Sequence, residues 1–176
     1  NLTYILKATD SSGNVRSTAA RNVISVDNDP PALVEDDSPS IAYTGRDYQF
    51  NVRTWDNIMV RTVVVDYRFG DSQTTKRIIE DGQSIVIRVP EHSLDGLAYS
   101  IRITDSSGNV FVGWERTVPV RDAIPPVILL DGSDSVATTG DWFGFAVDAQ
   151  DNIGIDGVQA EYWLDDAEPL LAALEG

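Results

Sequence analysis

The sequence predicts an all-β fold, because its apolar residues alternate with polar ones and turn-forming residues separate the runs. Alternation places apolar side chains on one face of a strand, whereas a helix would need a spacing of three to four residues. The runs are Tyr48, Phe50 and Val52; Val63, Val65, Tyr67 and Phe69; Ile85, Ile87 and Val89; and Tyr99, Ile101 and Ile103. Turn pairs separate them at Gly70-Asp71, Asp81-Gly82, Asp95-Gly96 and Ser107-Gly108. We therefore expect short strands and almost no helix.

A second observation is an internal repeat with a spacing of 95 residues. Residues 9–15 (TDSSGNV) recur unchanged at 104–110, and the same shift, without a gap, carries the triplet DNI at 56–58 to 151–153. Self-similarity at a fixed spacing is typical of tandem domains. We expect three units: an N-terminal segment (1–28) that ends a first repeat, a central segment (29–123) that is a whole repeat, and a C-terminal segment (124–176) that begins a third.

Seven strands are predicted in the central segment. In chain order they lie at 32–36, 47–54, 62–69, 75–80, 84–89, 97–104 and 110–121. Seven short strands in about 95 residues are typical of two antiparallel sheets packed face to face. Tyr99, which precedes the inward-facing Ile101 by two residues, predicts a tyrosine corner, in which the phenol bonds to backbone a few residues upstream. Tyr4 is its copy.

Composition and charge argue against several function classes. The formal net charge is -15, from 28 acidic and 13 basic residues, so the surface repels phosphate backbones and anionic lipid. We expect no nucleic-acid partner, and no membrane insertion because no apolar run reaches about 18 residues. Cysteine is absent, which excludes disulfides, thiolate metal sites and a cysteine nucleophile.

The residues do not predict an active site. His92 is the single histidine, and it lies beside Ser93 on a predicted turn. A catalytic triad needs a base oriented by a third group across a pocket, which adjacent residues on a turn do not provide. Paired carboxylates, as in glycosidases, arise by chance among 28 acids. We therefore expect that the chain is not an enzyme.

Several short motifs resemble a known family. They are Pro-Pro, Thr-Gly-Asp, Asp-Asn-Ile-Gly-Ile and Glu-Tyr-Trp between residues 125 and 163, with Asp-Ser-Ser-Gly-Asn at 105–109. Together they resemble the immunoglobulin-like repeats of large archaeal and bacterial surface proteins. The resemblance implies tandem Greek-key β-sandwiches, an extracellular or cell-surface location, and a spacer or adhesive role. The linker Asp27-Asn28-Asp29-Pro30-Pro31 is similar to the acidic linkers of cadherins.

In that topology three acidic regions meet at one pole of the central segment. They are the loops at Asp56-Asn57 and at 105–109, and the incoming linker. Calcium prefers six to eight oxygens from carboxylates, amides and carbonyls, so a Ca²⁺ site is one interpretation. The alternative is that turns simply demand Asp, Asn, Ser and Gly, with no ion. The candidate ligands are Asp27, Asp29, Asp56, Asn57, Asp105 and Asn109, with Asp122, Asp151 and Asn152 as a weaker set at the next junction.

Two further features bear on binding. The four tryptophans, Trp55, Trp114, Trp142 and Trp163, have no tryptophan at the position 95 residues away, so we expect them to serve local packing. The alternative is a sugar-stacking platform, for which Trp55 and Trp163 are the candidates. Asn1-Leu2-Thr3 is a candidate glycosylation sequon at Asn1.

The function expected from these observations is mechanical. Pro30-Pro31 and Pro125-Pro126 fix φ and stiffen the joints, as a spacer or assembly module of a surface layer, sheath, filament or adhesin stalk requires. Its partners are then the neighbouring repeats of the same protein. The alternatives are a glycan- or protein-binding adhesion module and an accessory domain of a secreted hydrolase.

The two end segments also suggest self-assembly. The N-terminal segment holds only the last two predicted strands of a repeat and the C-terminal segment only the first four, so both expose strand edges. One interpretation is head-to-tail strand complementation, in which the 4–26 hairpin of one copy adds to the C-terminal segment of the next. The alternative is a short helix at 170–174 that covers the open edge.

Overall fold

A computed structural model describes residues 1–79 and 84–174 of the chain, and this part consists of strands, turns and loops. The expectation of an all-β fold is confirmed. No helix in the described residues has the length and apolarity needed to cross a membrane. The predicted turn at Asp81-Gly82 and the last residue of the predicted strand 75–80 lie outside the described residues.

The described part of the chain contains nineteen strands. The N-terminal segment contains β1 (Leu2–Tyr4), β2 (Lys7–Thr9), β3 (Val15–Ser17) and β4 (Arg21–Val23). The central segment contains β5 (Ala32–Asp36), β6 (Ala42–Tyr43), β7 (Asp47–Phe50), β8 (Val52–Trp55), β9 (Val60–Phe69), β10 (Thr75–Ile79), β11 (Ile85–Arg88), β12 (Leu97–Asp105), β13 (Val110–Val112), β14 (Arg116–Val118) and β15 (Val120–Arg121). The C-terminal segment contains β16 (Val127–Asp131), β17 (Val147–Gln150), β18 (Val158–Tyr162) and β19 (Leu170–Leu174).

The buried apolar residues of the central segment form one core. The largest sheet around it is the antiparallel sheet β10-β9-β12-β13, in which β14 also pairs with β12. The antiparallel pairs β5-β8 and β7-β11 are two smaller sheets. Alternate residues of β7, β9, β11 and β12 are buried in the core, as strand periodicity requires. Phe50 packs edge-on against Tyr99 across this core, with ring centroids 4.9 Å apart.

The seventh predicted strand, 110–121, is broken into three. β13 ends before Gly113, whose N–H donates to the Ile101 carbonyl, and Pro119 separates β14 from β15 because proline has no N–H for the ladder. The last piece, β15, pairs in parallel with β6, a short strand that the sequence analysis did not predict.

The expected tyrosine corner is wrong. Tyr99 is buried, but its hydroxyl donates to the Asp36 carboxylate of β5 at 2.7 Å, far from the upstream backbone. Arg116 forms an ion pair with the same Asp36 oxygen at 3.1 Å, and its guanidinium lies over the Tyr99 ring. The phenol therefore joins β12 to β5 by a part-buried charge-assisted hydrogen bond.

Strand pairing in both end segments copies the pairing of the central segment at a spacing of 95. Tyr4 pairs with Arg21 as Tyr99 pairs with Arg116. The β16-β17 pair repeats the register of β5-β8, including its bulge, and the β18-β19 pair repeats that of β9-β10. The repeat that is visible in the sequence is thus also visible in backbone hydrogen bonding.

The alternative of a helix at 170–174 is wrong, because this stretch is the strand β19, paired with β18. Leucine and alanine favour helices, but five residues are too few to nucleate one stably. A free strand edge alongside satisfies their backbone groups instead.

Candidate metal centre

The candidate site lies at the pole where the linker from the N-terminal segment meets two loops of the central segment. The first loop joins β8 to β9 and is shaped by Asp56, whose Oδ1 accepts the N–H groups of Ile58 at 3.0 Å and Met59 at 2.8 Å. This turn uses only one carboxylate oxygen. The second oxygen, Oδ2, is buried and has no hydrogen-bond partner among the described residues.

The second loop joins β12 to β13 and is built around Asp105, which is completely buried. Its Oδ1 accepts the N–H groups of Ser107 at 2.9 Å and Asn109 at 2.8 Å, and its Oδ2 accepts the Asn109 amide at 2.7 Å. Burial alone would raise the pKa of Asp105, but these hydrogen bonds outweigh it and lower the pKa. The group is therefore a carboxylate at neutral pH.

Two asparagine amides hold the linker against these loops. Asn57 donates to Asp27 Oδ1 at 3.2 Å and to Asp29 Oδ2 at 3.3 Å. Asn109 donates to the backbone carbonyls of Asp27 at 3.4 Å and Asp29 at 3.3 Å. The sequence analysis placed both asparagines among the possible ligands; in the structure their NH₂ groups hold the linker against the loops, and their ligand role stays a prediction.

Three carboxylates converge as a result. One oxygen each from Asp27, Asp56 and Asp105 lies within 4.8 Å of the other two. Two oxygens bound to one Ca²⁺ at 2.3–2.6 Å stand at most about 5 Å apart, so this spacing fits a shared calcium ion. The Oδ2 atoms of Asp27 and Asp56 are both buried without a partner among the described residues. Asp29 lies beside this cluster and is not one of its three members.

Unpartnered carboxylate oxygens at close quarters are costly. Like charges repel, and a buried polar atom without a hydrogen bond loses its interaction with water. A divalent cation removes both costs by coordinating the oxygens and neutralising the charge. The arrangement is therefore suited to a hard cation, with Asp27, Asp56 and Asp105 as the carboxylate ligands.

The second junction brings its candidates together differently. Asp122 Oδ1 accepts the Thr44 hydroxyl at 2.5 Å, the Ile124 N–H at 3.1 Å and the Asn152 amide at 3.1 Å. These bonds, led by the one from Thr44, lower the pKa of Asp122. Asn152 also donates to the Glu91 carbonyl at 2.7 Å. Direct side-chain bonds thus link the central and C-terminal segments.

Asp151 belongs to the same junction, and the hydrogen bonds that its side chain makes among the described residues lie within its own turn. Its Oδ1 accepts the N–H groups of Ile153 and Gly154, which repeats the turn made by Asp56. Its Oδ2 and the Asn152 Oδ1 are buried without partners in the described part of the chain. In residues 1–79 and 84–174, the trio of the first junction is the single group of three or more candidate ligands at metal-binding distance.

Other candidate residues are placed as follows. His92 Nδ1 lies 3.1 Å from the Asn152 carbonyl oxygen, and the Ser93 hydroxyl accepts the Asp95 N–H. Asn1 is exposed, and the Thr3 hydroxyl of its sequon donates to Asn22 at 2.8 Å.

The expectation that the tryptophans serve packing is wrong. All four are exposed, and Trp114 and Trp142 almost completely so. Trp55 and Trp163 each keep roughly 60% of their surface accessible. An exposed indole is available for contacts with a partner or ligand.

Comparison of the chain with protein families, characterised proteins and solved structures finds no match.

Proposed function

We propose that this chain is part of a tandem array of immunoglobulin-like β-sandwich repeats that acts as a spacer or assembly module of a secreted cell-surface protein. In this proposal a calcium ion at the first junction stiffens the array. The role is mechanical, and we assign no reaction to the chain. The motif resemblance and the 95-residue spacing of both sequence and strand pairing support the tandem arrangement.

One observation supports the calcium site above all others. The carboxylates of Asp27, Asp56 and Asp105 converge, and two of their buried oxygens have no partner among the described residues. A cluster explained by turn chemistry alone would direct its oxygens to backbone N–H groups. Here each loop aspartate satisfies its turn with Oδ1, and Asp56 retains a second oxygen that no turn uses.

The chemistry of the cluster favours calcium over other common cations. Every available ligand is oxygen, which calcium and magnesium prefer and which zinc and copper prefer less. Magnesium requires near-ideal octahedral geometry at about 2.1 Å, whereas calcium tolerates longer and irregular coordination. The spacing of up to 4.8 Å between the three carboxylate oxygens exceeds the roughly 4.2 Å that two ligands at about 2.1 Å from one magnesium ion can span, and it fits the longer calcium–oxygen distances.

The mechanical consequence follows from where the ligands lie. Asp27 belongs to the linker, while Asp56 and Asp105 belong to two separate loops of the central segment. An ion bound to all three would tie the linker to both loops, adding to the hold of Asn57 and Asn109. The following Pro30 and Pro31 restrict φ, and Pro31 is buried, so the joint has few remaining degrees of freedom.

A calcium titration with a matched pair of variants tests the proposal. Asp56→Asn keeps the Oδ1 acceptor of the turn but puts an amide NH₂ where the unpartnered Oδ2 lies. Asp151→Asn makes the same change at the equivalent position of the second junction. We expect calcium to raise the melting temperature of the wild-type chain and of Asp151→Asn, but not of Asp56→Asn.

The expected stabilisation is about 2.7 kcal/mol at one hundred times the dissociation constant. Magnesium at the same concentration should give a much smaller rise in melting temperature. No rise at millimolar calcium, or an equal rise in Asp56→Asn, contradicts the calcium site.

A glycan-binding adhesion module is the second candidate, favoured by the exposure of Trp55 and Trp163. A glycan-array signal that disappears in Trp55→Ala or Trp163→Ala, and persists in Trp114→Ala, supports this function. An array without signals contradicts it.

A further inference from the structure

Asp36 connects the strand that enters the central segment to the strands that leave it, and we infer that this contact is a latch that resists tension along the chain. β5, which ends at Asp36, begins directly after the linker of the first junction. β14 and β15 lie directly before the linker of the second junction. In a spacer under load, the two linkers pull on these strands. The latch deepens, and rests on, the mechanical role proposed above.

The latch consists of Asp36, Ser38, Tyr99 and Arg116. The Asp36 Oδ2 atom accepts the Tyr99 hydroxyl at 2.7 Å and pairs with the Arg116 guanidinium at 3.1 Å. Arg116 also donates to the backbone carbonyls of Asp36 at 3.4 Å and of Ser38 at 3.0 Å. The side chain of Asp36 is 17% exposed, so water and salt screen its ion pair less than they screen a surface pair.

The order of the strands places this contact in line with the tension. A pull on the first linker draws β5 toward the first junction, and a pull on the second linker draws β14 and β15 toward the second junction. The two pulls oppose each other at Asp36 and Arg116, because each residue lies on one of the loaded strands. The backbone ladder between β6 and β15 is loaded in the same way, but it is short, with Ala42 opposite Val120 and Tyr43 opposite Arg121. The side-chain contact therefore adds substantially to the resistance.

All four residues of the latch are identical at the spacing of 95. In the order given above, their counterparts are Asp131, Ser133, Tyr4 and Arg21. The strand register recurs as well, since Tyr4 lies opposite Arg21 as Tyr99 lies opposite Arg116. Tension is the same in every repeat of an array, so a latch that resists it is needed in each one.

An exposed ion pair beside the latch is not repeated. Arg53 and Glu35 join β8 to β5, but their counterparts are Asp148 and Leu130. Exposed pairs contribute little to stability, so the loss of one between repeats has a small cost. The recurrence of the latch residues thus differs from the behaviour of a surface pair on the same strand.

Single-molecule force spectroscopy on the full chain, held by its two ends, tests the latch. EDTA is present, so that the result does not depend on the calcium site. Unfolding of the roughly 90 residues from β5 to β15 lengthens the chain by about 300 Å, which identifies the event. We expect Arg116→Met to raise the unfolding rate at a fixed force at least about tenfold.

A second latch variant and a control accompany this measurement. Tyr99→Phe keeps the buried ring and removes one hydrogen bond, so it tests the latch even where Arg116→Met impairs folding. It should raise the unfolding rate at least about threefold. Arg102→Met is the control, because it removes an ion pair between β12 and β9, to which no linker is directly attached. The control should unfold at the wild-type rate.

A second direction of pull separates a latch from a contact that only stabilises the fold. The chain has no cysteine, so cysteines introduced at Asp71 and Ser107 place handles on two exposed turns of the central segment. The load then enters between β9 and β10 and between β12 and β13, and the linkers carry none of it. In this geometry Arg116→Met should change the unfolding rate less than about threefold.

Wild-type unfolding rates in both latch variants, with the chain held by its ends, overturn the inference. An equal rise in both directions of pull also overturns it, because Arg116 then stabilises the fold without bearing the load. The latch residues lie outside the carboxylate cluster of the first junction, so the calcium titration is independent of these results. A failed latch and a failed calcium site are thereby distinguished.

Discussion

The linker and the loop after β8 at the first junction have counterparts 95 residues further on at the second, yet some of their contacts differ. At the first, the carboxylates of Asp27, Asp56 and Asp105 converge, and the Oδ2 atoms of Asp27 and Asp56 are buried without a partner among the described residues. At the second, Asp122, the counterpart of Asp27, accepts the Thr44 hydroxyl in addition to the Asn152 amide, while Asp151 Oδ2 and Asn152 Oδ1 are buried without partners in the described part of the chain. The backbone turns are the same in both, since Asp56 and Asp151 accept equivalent N–H groups.

Three of the four linker residues differ between the junctions, since Val26, Asn28 and Asp29 correspond to Arg121, Ala123 and Ile124. Asn57 donates to Asp27 and Asp29, whereas its counterpart Asn152 donates to Asp122 and to the Glu91 carbonyl. Ile124 lies close to Gly45, where a Cβ would meet its methyl carbon at 3.2 Å. The first linker therefore carries one more carboxylate, at a position where the second has an apolar side chain.

The largest expected effect comes from removing the aspartate at the centre of a loop. Asp105 accepts three hydrogen bonds and is completely buried, so Asp105→Ala leaves two backbone N–H groups and an amide without their acceptor. We expect the melting temperature of the central segment to fall on the order of 5–10 °C.

The control for this variant is Asp10→Ala, which removes the same interactions from the exposed copy of the loop. Thermal unfolding followed by circular dichroism should show little change for Asp10→Ala, because water can reach the freed donors. An equal fall in melting temperature in both variants would mean that the loop at 105–109 is stabilised by its own hydrogen bonds and not by the linker that covers it.

A smaller effect, on the local opening free energy of each linker, should distinguish the two junctions by their response to calcium. Asn152→Ala removes the bonds to Asp122 and to the Glu91 carbonyl, and Asn57→Ala removes the bonds to Asp27 and Asp29. Each loss should lower the local opening free energy of its linker by about 1 kcal/mol. Hydrogen exchange at residues 26–29 and 121–124 measures this quantity.

Calcium should restore the protection of the first linker from hydrogen exchange in Asn57→Ala, because the carboxylate ligands remain. It should not restore protection to the second linker in Asn152→Ala. Restoration at both junctions would remove the distinction between an ion-dependent and an ion-independent joint.

The sequence predicted the strands well where periodicity and turn residues agree. The predicted strands 32–36 and 97–104 correspond to β5 and β12, and both loops of the candidate site fall where the turn residues indicated. The convergence of the linker with Asp56 and Asp105 was also expected, because antiparallel strands return neighbouring loops to one pole.

The sequence analysis failed where a side chain's role depends on distant contacts. Periodicity showed that Tyr99 faces inward, but only the packing of β12 near β5 determines that its hydroxyl reaches Asp36. The exposure of Trp114 and Trp142 depends on which neighbours cover them, and no local pattern encodes that.

The smallest expected effect is a difference in acid sensitivity between the junctions. The pKa values of Asp105 and Asp122 both lie below the ordinary value of 3.8. A carboxyl group with a lowered folded-state pKa contributes stability above its unfolded pKa and loses that contribution as pH falls through the folded value. Both junctions should therefore be unaffected by pH above about 5 and should loosen below about 4.

Calcium should separate the two acid transitions. The ion competes with protons for Asp105, so a tenfold excess of calcium over its dissociation constant should lower the apparent pKa of that group by about one unit. Asp122 accepts direct hydrogen bonds from Thr44, Ile124 and Asn152, so we expect its transition not to move. Amide chemical shifts of Asn109 and Ile124, followed from pH 6 to pH 2 with and without calcium, report the two groups separately. A calcium-induced shift of the same size at Ile124 would place an ion at both junctions, and no shift at Asn109 would exclude Asp105 as a ligand.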